Sequence, residues 1–142
     1  MAGSTNNSTI KSINGRKISA GVAEGEIVVS SEGISFYGGV DPESGMISEK
    51  GHPLEGKSIS GKILVFPQGK GSTVGSYALY RLKKNGKAPV AIINKECEPI
   101  VAVGAIISEI PMLDKLEGDG YAKLKEGMRA KVDATAGKLY LL

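Results

Sequence analysis

The sequence is poor in the residue types that mark several classes of protein. It has one cysteine, Cys97, and no tryptophan, and aromatic residues make up 5% of its 142 residues. A single thiol forms no internal disulfide and cannot by itself hold an iron–sulfur cluster or a structural zinc ion. The scarcity of aromatic side chains argues against the stacking surfaces that bind single-stranded nucleic acid.

Long apolar segments are also missing. The longest apolar run, residues 100–107, is far shorter than the roughly 20 residues that a membrane-spanning helix needs. The first residues lack the apolar stretch of a secretion signal. We therefore predict a cytoplasmic protein that binds neither membrane nor nucleic acid. The net charge of +3 comes from scattered lysines, which is typical of a solvated surface and weakly favours anionic ligands.

Composition divides the chain into a tail and one domain. Residues 1–14 are rich in Ser, Thr, Asn and Gly and predict a disordered N-terminal tail. Residues 15–142 have the length of a single domain. Within it, the turn residues of 38–45 and 52–56 predict one long loop, and a loop of that length is often functional.

The middle of the chain predicts a strand–helix–strand unit. Residues 62–66 and 89–93 are continuous apolar runs, typical of strands that are buried on both faces. Between them, Ser72 or Thr73 can cap a helix that extends to about Lys84, so the two strands should be parallel. The other predicted elements are strands at 17–20, 26–29 and 110–113, a helix at 100–108 and a hairpin over 129–142. The fold class is therefore α/β, with a parallel core and an antiparallel β portion.

The glycine-rich stretch 69–77 is the most informative segment for chemistry, because it follows a buried strand and opens a helix. Unpaired N–H groups and the positive dipole end of a helix N-terminus favour an anionic ligand. Three simpler interpretations compete. The order Gly-Lys-Gly-Ser places the lysine too early for a P-loop. For a dinucleotide fingerprint, Gly75 falls one place late and Asn94 replaces the expected acidic residue. Otherwise Ser72 merely caps the helix.

Six segments resemble, in the same order, those of the aconitase X small subunits. They are FYGGVDPESG at 36–45, HPL at 52–54, GKILVFP at 61–67, GKGSTVGSY at 69–77, NGKAP at 85–89 and PIVAVGA at 99–105. The resemblance spans roughly residues 16–114. Several separate motifs in the right order are far more specific than one glycine loop.

The resemblance implies a swivelling β/β/α domain, with a parallel central sheet, an antiparallel β portion and flanking helices. It implies one subunit of a hydro-lyase that is inactive without a large catalytic subunit. That partner is expected to hold a 4Fe-4S cluster, and no metal is expected in this chain. The similar archaeal members dehydrate (R)-5-phosphomevalonate to trans-anhydromevalonate 5-phosphate in isoprenoid synthesis.

The resemblance also assigns roles to residues. Ser72 matches the serine that acts as proton acceptor, and the expected substrate-binding residues are Gly71, Thr73, Gly75, Ser76, Gly38, Gly39 and Asp41. Val74 stands where aconitases have a carboxylate-binding arginine, which puts a citrate-like substrate in doubt. The remaining candidates receive structural interpretations. His52 is expected in a turn, and Glu96 and Glu98 are expected to face solvent or the partner. Tyr77 and Tyr80 are expected to contribute to packing rather than to chemistry, and the apolar run from Ile100 is expected in the core.

Two other functions stay open at this point. One is the small subunit of a different aconitase X dehydratase, such as a hydroxyproline dehydratase. The other is a non-catalytic module that holds an anionic ligand in its glycine loop. The module would bind ligand alone, whereas the dehydratase subunit would need its partner.

Overall fold

The computed structural model describes residues 11–71 and 73–142. Eight strands form one sheet in the order β1-β8-β7-β3-β4-β5-β6-β2. Their bounds are β1 Lys11–Asn14, β2 Arg16–Ser19, β3 Val22–Val29, β4 Ile63–Phe66, β5 Ala91–Asn94, β6 Met112–Asp114, β7 Arg129–Asp133 and β8 Lys138–Leu141. Strands β3, β4, β5 and β6 are parallel, and the remaining pairs are antiparallel. The predicted parallel core and the C-terminal hairpin are both confirmed.

The sheet folds into two layers because β3 serves both of them and because its two end strands, β1 and β2, follow one another in the chain. The residues of β3 from Val22 to Glu26 pair with β7, whereas those from Ile27 to Val29 pair with β4. At the other side, β1 pairs with β8 and β2 pairs with β6, and Gly15 alone separates β1 from β2. The two ends of the strand order are therefore adjacent in the chain, and an antiparallel layer folds over a parallel one.

Alternating side chains of the parallel strands fill two separate cores. In β4, Ile63 and Val65 point between the two layers of the sheet, where they meet apolar residues from β1, β7 and β8. Leu64 and Phe66 point to the opposite face, which the helices cover. This alternation explains why residues 63–66 are continuously apolar, since both faces of the strand are buried. The result is a β/β/α arrangement of three layers.

Three helical segments cover the outer face of the parallel layer. They are α1 Phe36–Gly39, α2 Gly75–Lys84 and α3 Pro99–Ile107, and a 3₁₀ turn, Tyr121–Lys123, precedes the hairpin. Helix α1 is a single distorted turn, since Gly38 has a φ of 89°. Gly104 of α3 lets α2 come close, because a Cβ there would lie 3.1 Å from the Cα of Ser76. No helix in the described ranges is long and apolar enough to cross a membrane.

Several predicted boundaries differ from the structure. Residues 1–10 of the expected disordered tail lie outside the described residues, whereas Lys11–Asn14 form β1, because Ile13 is buried between the layers. Helix α2 begins at Gly75, after Val74, and Thr73 provides no side-chain cap. Ser72, the other expected cap, lies outside the described residues.

Helix α3 differs from its prediction at its N-terminus and on its outer face. Glu98, expected to face solvent or a partner, caps the helix by accepting bonds from the N–H groups of Ile100 and Val101, both at 2.8 Å. The expected burial of the whole apolar run is wrong. Three side chains of α3 remain about half exposed, namely Val103, Ile106 and Ile107.

The carboxyl end of β6 carries a buried carboxylate that joins three segments. Asp114 is fully buried and accepts hydrogen bonds from the Arg16 guanidinium at 2.8 and 2.7 Å and from the Cys97 N–H at 2.7 Å. The Arg16 side chain is half exposed, so solvent also reaches its charge. These bonds fix β2 and the segment that leads into α3 to the end of the parallel layer.

Candidate functional site

The glycine turn, residues 69–71, follows the carboxyl end of β4. Ser72 comes directly after it but lies outside the described residues, which resume at Thr73. The turn therefore lies at the edge of the parallel layer where α2 begins. Ligands of parallel α/β sheets are commonly bound at this edge, because loops from several strands converge there.

The turn has no room for side chains. Gly71 has a φ of 100°, and a Cβ there would lie 2.5 Å from the Ser35 hydroxyl oxygen. At Gly69, a Cβ would lie 2.5 Å from a carboxylate oxygen of Glu98, the residue that caps α3. Glycine is therefore required at both positions by close contact, and at Gly71 by backbone conformation as well.

A segment of the long loop supports the turn through backbone bonds. Ile34 forms a parallel bridge with Gly69, the Lys70 N–H donates to the Ile34 carbonyl at 3.1 Å, and the Ile34 N–H donates to the Gln68 carbonyl at 3.3 Å. His52 holds this segment in place. Its Nδ1 accepts from the Leu54 N–H at 3.0 Å, so its Nε2 carries the hydrogen and donates to the Gly33 carbonyl at 3.0 Å. The predicted turn role of His52 is confirmed.

A cavity of about 410 Å³ opens beside the glycine turn, and we call it the turn cavity. It is lined by Ser35, Tyr37, Gly38, Gly39, Glu49, Lys70 and Gly71. Three of the predicted substrate-binding residues, Gly38, Gly39 and Gly71, thus line the same cavity, although Gly39 and Gly71 are more than thirty residues apart in the sequence. Lys70 and Glu49 form an ion pair of 2.9 Å on this wall.

A second cavity of about 500 Å³, the α2 cleft, shares Tyr37 and Gly38 with the turn cavity. Its residues come from α1, the loop after it and the first two turns of α2: Phe36, Tyr37, Gly38, Val40, Asp41, Pro42, Ser48, Val74, Tyr77, Ala78, Arg81 and Leu82. Tyr77 is 67% exposed and packs at the surface against Tyr80, with the ring centroids 6.2 Å apart. The cleft walls are mainly apolar, and one guanidinium and one carboxylate lie among them.

Asp41 is held by its own loop. Its carboxylate accepts from the Glu43 N–H at 3.1 Å and from the Ser44 hydroxyl at 2.8 Å. The backbone bond from Glu43, followed by the bond from Ser44, lowers the pKa of Asp41 below its ordinary value. Asp41 therefore stays ionised and stabilises the turn that shapes the α2 cleft.

The remaining predicted substrate-binding residues point elsewhere. Gly75 is buried against α3, where a Cβ would lie 3.3 Å from Ile100. The Ser76 hydroxyl donates to the Thr73 carbonyl at 3.2 Å and so closes the first turn of α2. Thr73 is exposed but lines neither cavity. Their roles toward a substrate stay predictions.

Sequence reasoning missed Lys70, Glu49 and Ser35. In the sequence, Lys70 is considered only as a P-loop lysine that comes too early, although a cation in an anion-binding loop is a signal that could have drawn attention to it. Glu49 has no such signal, because its pairing with Lys70 depends on how the long loop folds back. Asn94, the residue at the position of a nucleotide-binding acid, is buried, and its amide donates to the Phe66 carbonyl at 3.0 Å.

The described residues offer poor ligands for a metal or cluster. No group of three His, Cys, Asp or Glu side chains close enough to hold a metal ion occurs among them. Burial, with a smaller effect from Asp114, raises the pKa of Cys97 to about 12. The Cys97 thiol is therefore protonated at neutral pH in the isolated chain.

The layers and the carboxyl-edge site define a swivelling β/β/α domain. Residues 12–141 match the family of aconitase X swivel domains, and the chain belongs to this family. It is 61% identical to the phosphomevalonate dehydratase small subunit of Methanosarcina acetivorans, over 92% of this chain and 90% of that protein. It is 58% identical to the same subunit of Thermococcus kodakarensis, over 92% of this chain and 96% of that protein.

A solved structure agrees with the sequence relatives. A chain in the crystal structure of Thermococcus kodakaraensis aconitase X in its holo-form superposes with a TM-score of 0.88 and is 56% identical in sequence. The match covers 93% of this chain and 98% of that one. The fold predicted from the family resemblance is therefore confirmed.

Proposed function

We propose that this chain is the small subunit of a cytoplasmic phosphomevalonate dehydratase and forms a heterodimer with a large subunit. The observation that carries the proposal is the identity of 58–61% to subunits of that name over 92% of the chain. The geometry supports it, since the glycine turn stands at an open edge beside the turn cavity, where a second chain can complete a site.

The reaction removes a proton from C2 of (R)-5-phosphomevalonate and the hydroxyl from C3. The electron pair of the C2–H bond forms the double bond, the C3–O bond breaks, and the hydroxyl leaves as water after taking up a proton. A 4Fe-4S cluster in the large subunit would supply a Lewis acid for the leaving hydroxyl. This chain supplies the proton acceptor, Ser72.

A serine hydroxyl becomes a usable base when its alkoxide is stabilised. Each well-placed N–H donor contributes about 3–4 kcal/mol to such stabilisation in enzyme active sites. The chain on either side of Ser72 is suited to this, because Gly71 presents bare backbone and Thr73 leads directly into α2. Because Gly69 and Gly71 have no side chains, the backbone of the turn can lie close to Glu98 and Ser35.

The experiment is anaerobic co-expression of this chain with its large subunit, followed by an assay for trans-anhydromevalonate 5-phosphate. Each chain alone should be inactive and the pair active. Ser72→Ala should abolish turnover while leaving co-purification of the subunits unchanged. The matched control is Ser12→Ala, which replaces an exposed serine of β1 in the antiparallel layer and should retain activity.

Two results would contradict the proposal. Dehydration of hydroxyproline but not of phosphomevalonate by the pair would assign it to another aconitase X activity. Tight binding of an anion by this chain alone, with no turnover by the pair, would identify a binding module. Full activity of Ser72→Ala would remove Ser72 from the mechanism.

A further inference from the structure

The turn cavity has a simple charge pattern. Two charged side chains lie on its described wall, Lys70 from the glycine turn and Glu49 from the long loop. They pair across 2.9 Å, and their side chains are 41% and 32% exposed. The ammonium group therefore faces an open, solvent-filled space, although it has a partner.

The carboxylate of Glu49 lies where an oxyanion of a ligand would bind. One of its carboxylate oxygens accepts from Lys70. The other would lie 3.3 Å from a Cβ on Gly39, so this oxygen faces the bare glycine segment that also lines the cavity. A carboxylate thus lies between a cation and the bare backbone of Gly39, and a ligand carboxylate or phosphate would require the same arrangement.

The pair is also weak enough to be exchanged. Ion pairs between half-exposed side chains contribute little, corresponding to at most about a fivefold change in an equilibrium constant. A phosphate or a substrate carboxylate offers the same hydrogen-bond acceptors, and a phosphate carries more charge. The hydrogen bond that Lys70 donates to Glu49 raises the pKa of Lys70, so the ammonium is charged when a ligand arrives.

We infer that Lys70 is a substrate-anchoring residue that binds an oxyanion of the ligand in the turn cavity, and that Glu49 is the resident counter-ion the ligand displaces. The chemical identity of that ligand, a phosphorylated hydroxy acid, rests on the proposed function. The anchor itself rests on the cavity, the ion pair and the position of Glu49 beside Gly39.

Substitution of the two partners of this ion pair should change KM in opposite directions. In the assembled enzyme, Lys70→Gln should raise KM for phosphomevalonate at least about tenfold, because a charged hydrogen bond to the ligand is lost. Glu49→Gln should lower KM about two- to fivefold, because the competing carboxylate is gone. Lys70→Arg, which keeps the charge, should restore most of the affinity.

A matched ion pair controls for structural effects. Lys62 and Glu26 pair at the same distance, 2.9 Å, with side chains 34% and 45% exposed, but at the opposite end of β4. Lys62→Gln and Glu26→Gln should leave KM unchanged. If Lys70→Gln and Glu49→Gln both lower kcat without changing KM, or both raise KM, the pair is only structural and the inference is wrong.

A binding measurement separates this inference from the proposed function. Inorganic phosphate, phosphomevalonate and mevalonate would be titrated into the ¹⁵N-labelled chain assembled with its large subunit, with the shifts of the Ser35, Lys70 and Gly71 amides followed by NMR. Loss of affinity in Lys70→Gln for phosphomevalonate and inorganic phosphate but not for mevalonate identifies the phosphate as the bound group. Loss for phosphomevalonate and mevalonate but not for inorganic phosphate identifies the carboxylate. Unchanged affinity for all three ligands would refute the anchor, even if the enzyme is active. Opposite effects of the two substitutions on phosphate binding would support it, even if the pair fails to dehydrate phosphomevalonate.

Discussion

Gly71→Ala tests whether the geometry of the glycine turn controls catalysis. The new methyl group would begin 2.5 Å from the Ser35 hydroxyl oxygen, whereas carbon atoms normally approach other atoms no closer than about 3.5 Å. Rotating the Ser35 hydroxyl away would break its 2.8 Å bond to the Tyr37 carbonyl and leave the Ser35 Cβ 3.3 Å from the methyl group, so we expect the turn to shift by up to about 1 Å. The backbone adds strain of about 1–3 kcal/mol, because a residue with a side chain rarely adopts a φ of 100°.

A displacement of about 1 Å next to a catalytic group typically reduces the rate about 100-fold. We therefore expect kcat of the assembled enzyme to fall about 100-fold in Gly71→Ala, with subunit pairing intact. The assay is steady-state formation of the dehydration product, together with urea unfolding of the isolated chain. Ser35→Gly in the same chain should recover part of kcat, since it removes both atoms that the new methyl group meets.

Gly86→Ala is the matched control for this prediction. Gly86 has a φ of 72° and lies just beyond α2, but a Cβ there would have no neighbour within 4 Å. This variant should lose stability through its backbone alone and keep its kcat. The reasoning would be refuted if Gly71→Ala showed the same modest loss of stability and a wild-type kcat.

Three further predictions concern stability. Asp114→Ala should lower the free energy of unfolding by about 2–3 kcal/mol, because it leaves the Cys97 N–H without an acceptor. Urea titration measures this change, and an unchanged free energy of unfolding would contradict the bridging role of the carboxylate. Burial raises the pKa of Cys97 from 9.0 to about 12 and that of Tyr121 from 10.0 to about 12. The unfolded chain loses these protons first, so stability should fall as pH rises from 9 to 12, and Cys97→Ala with Tyr121→Phe should flatten the profile measured by thermal melting. Gly104→Leu should lower the free energy of unfolding by about 1–3 kcal/mol, because the new side chain separates α2 from α3. The melting temperature should therefore fall, whereas an unchanged melting temperature would show that the helices can move apart freely.

The elements that hydropathy alone determines could be predicted. Residues 62–66 and 89–93 had to be buried strands, since continuous apolar runs of that length fit little else, and the helix between them made the pair parallel. The folding of the sheet into two layers could not be foreseen. Strand β1 pairs with β8 at the other end of the chain, and four residues of mixed polarity such as Lys11–Asn14 give no sign of a distant partner.

The site was predictable where one segment carried the signal. The glycine spacing indicated a tight turn before a helix, and the structure gives its cause in the contacts of Gly69 and Gly71. The wall of the turn cavity was not predictable in full, because Glu49 reaches Lys70 through the fold of the long loop. Helix α3 shows the opposite failure. An all-apolar helix predicts burial, yet Val103, Ile106 and Ile107 are half exposed because α3 lies on the outside of the domain.

The two-layered sheet determines how this chain can move against a second one. Because β1 runs into β2 through Gly15 and β3 serves both layers, neither layer can slide or open without breaking the ladder of the other. Any opening and closing of a shared site must therefore carry the whole domain as one rigid block. Flexibility that adapts to a ligand is left to the loops at the carboxyl edge, which include Lys70 and Glu49.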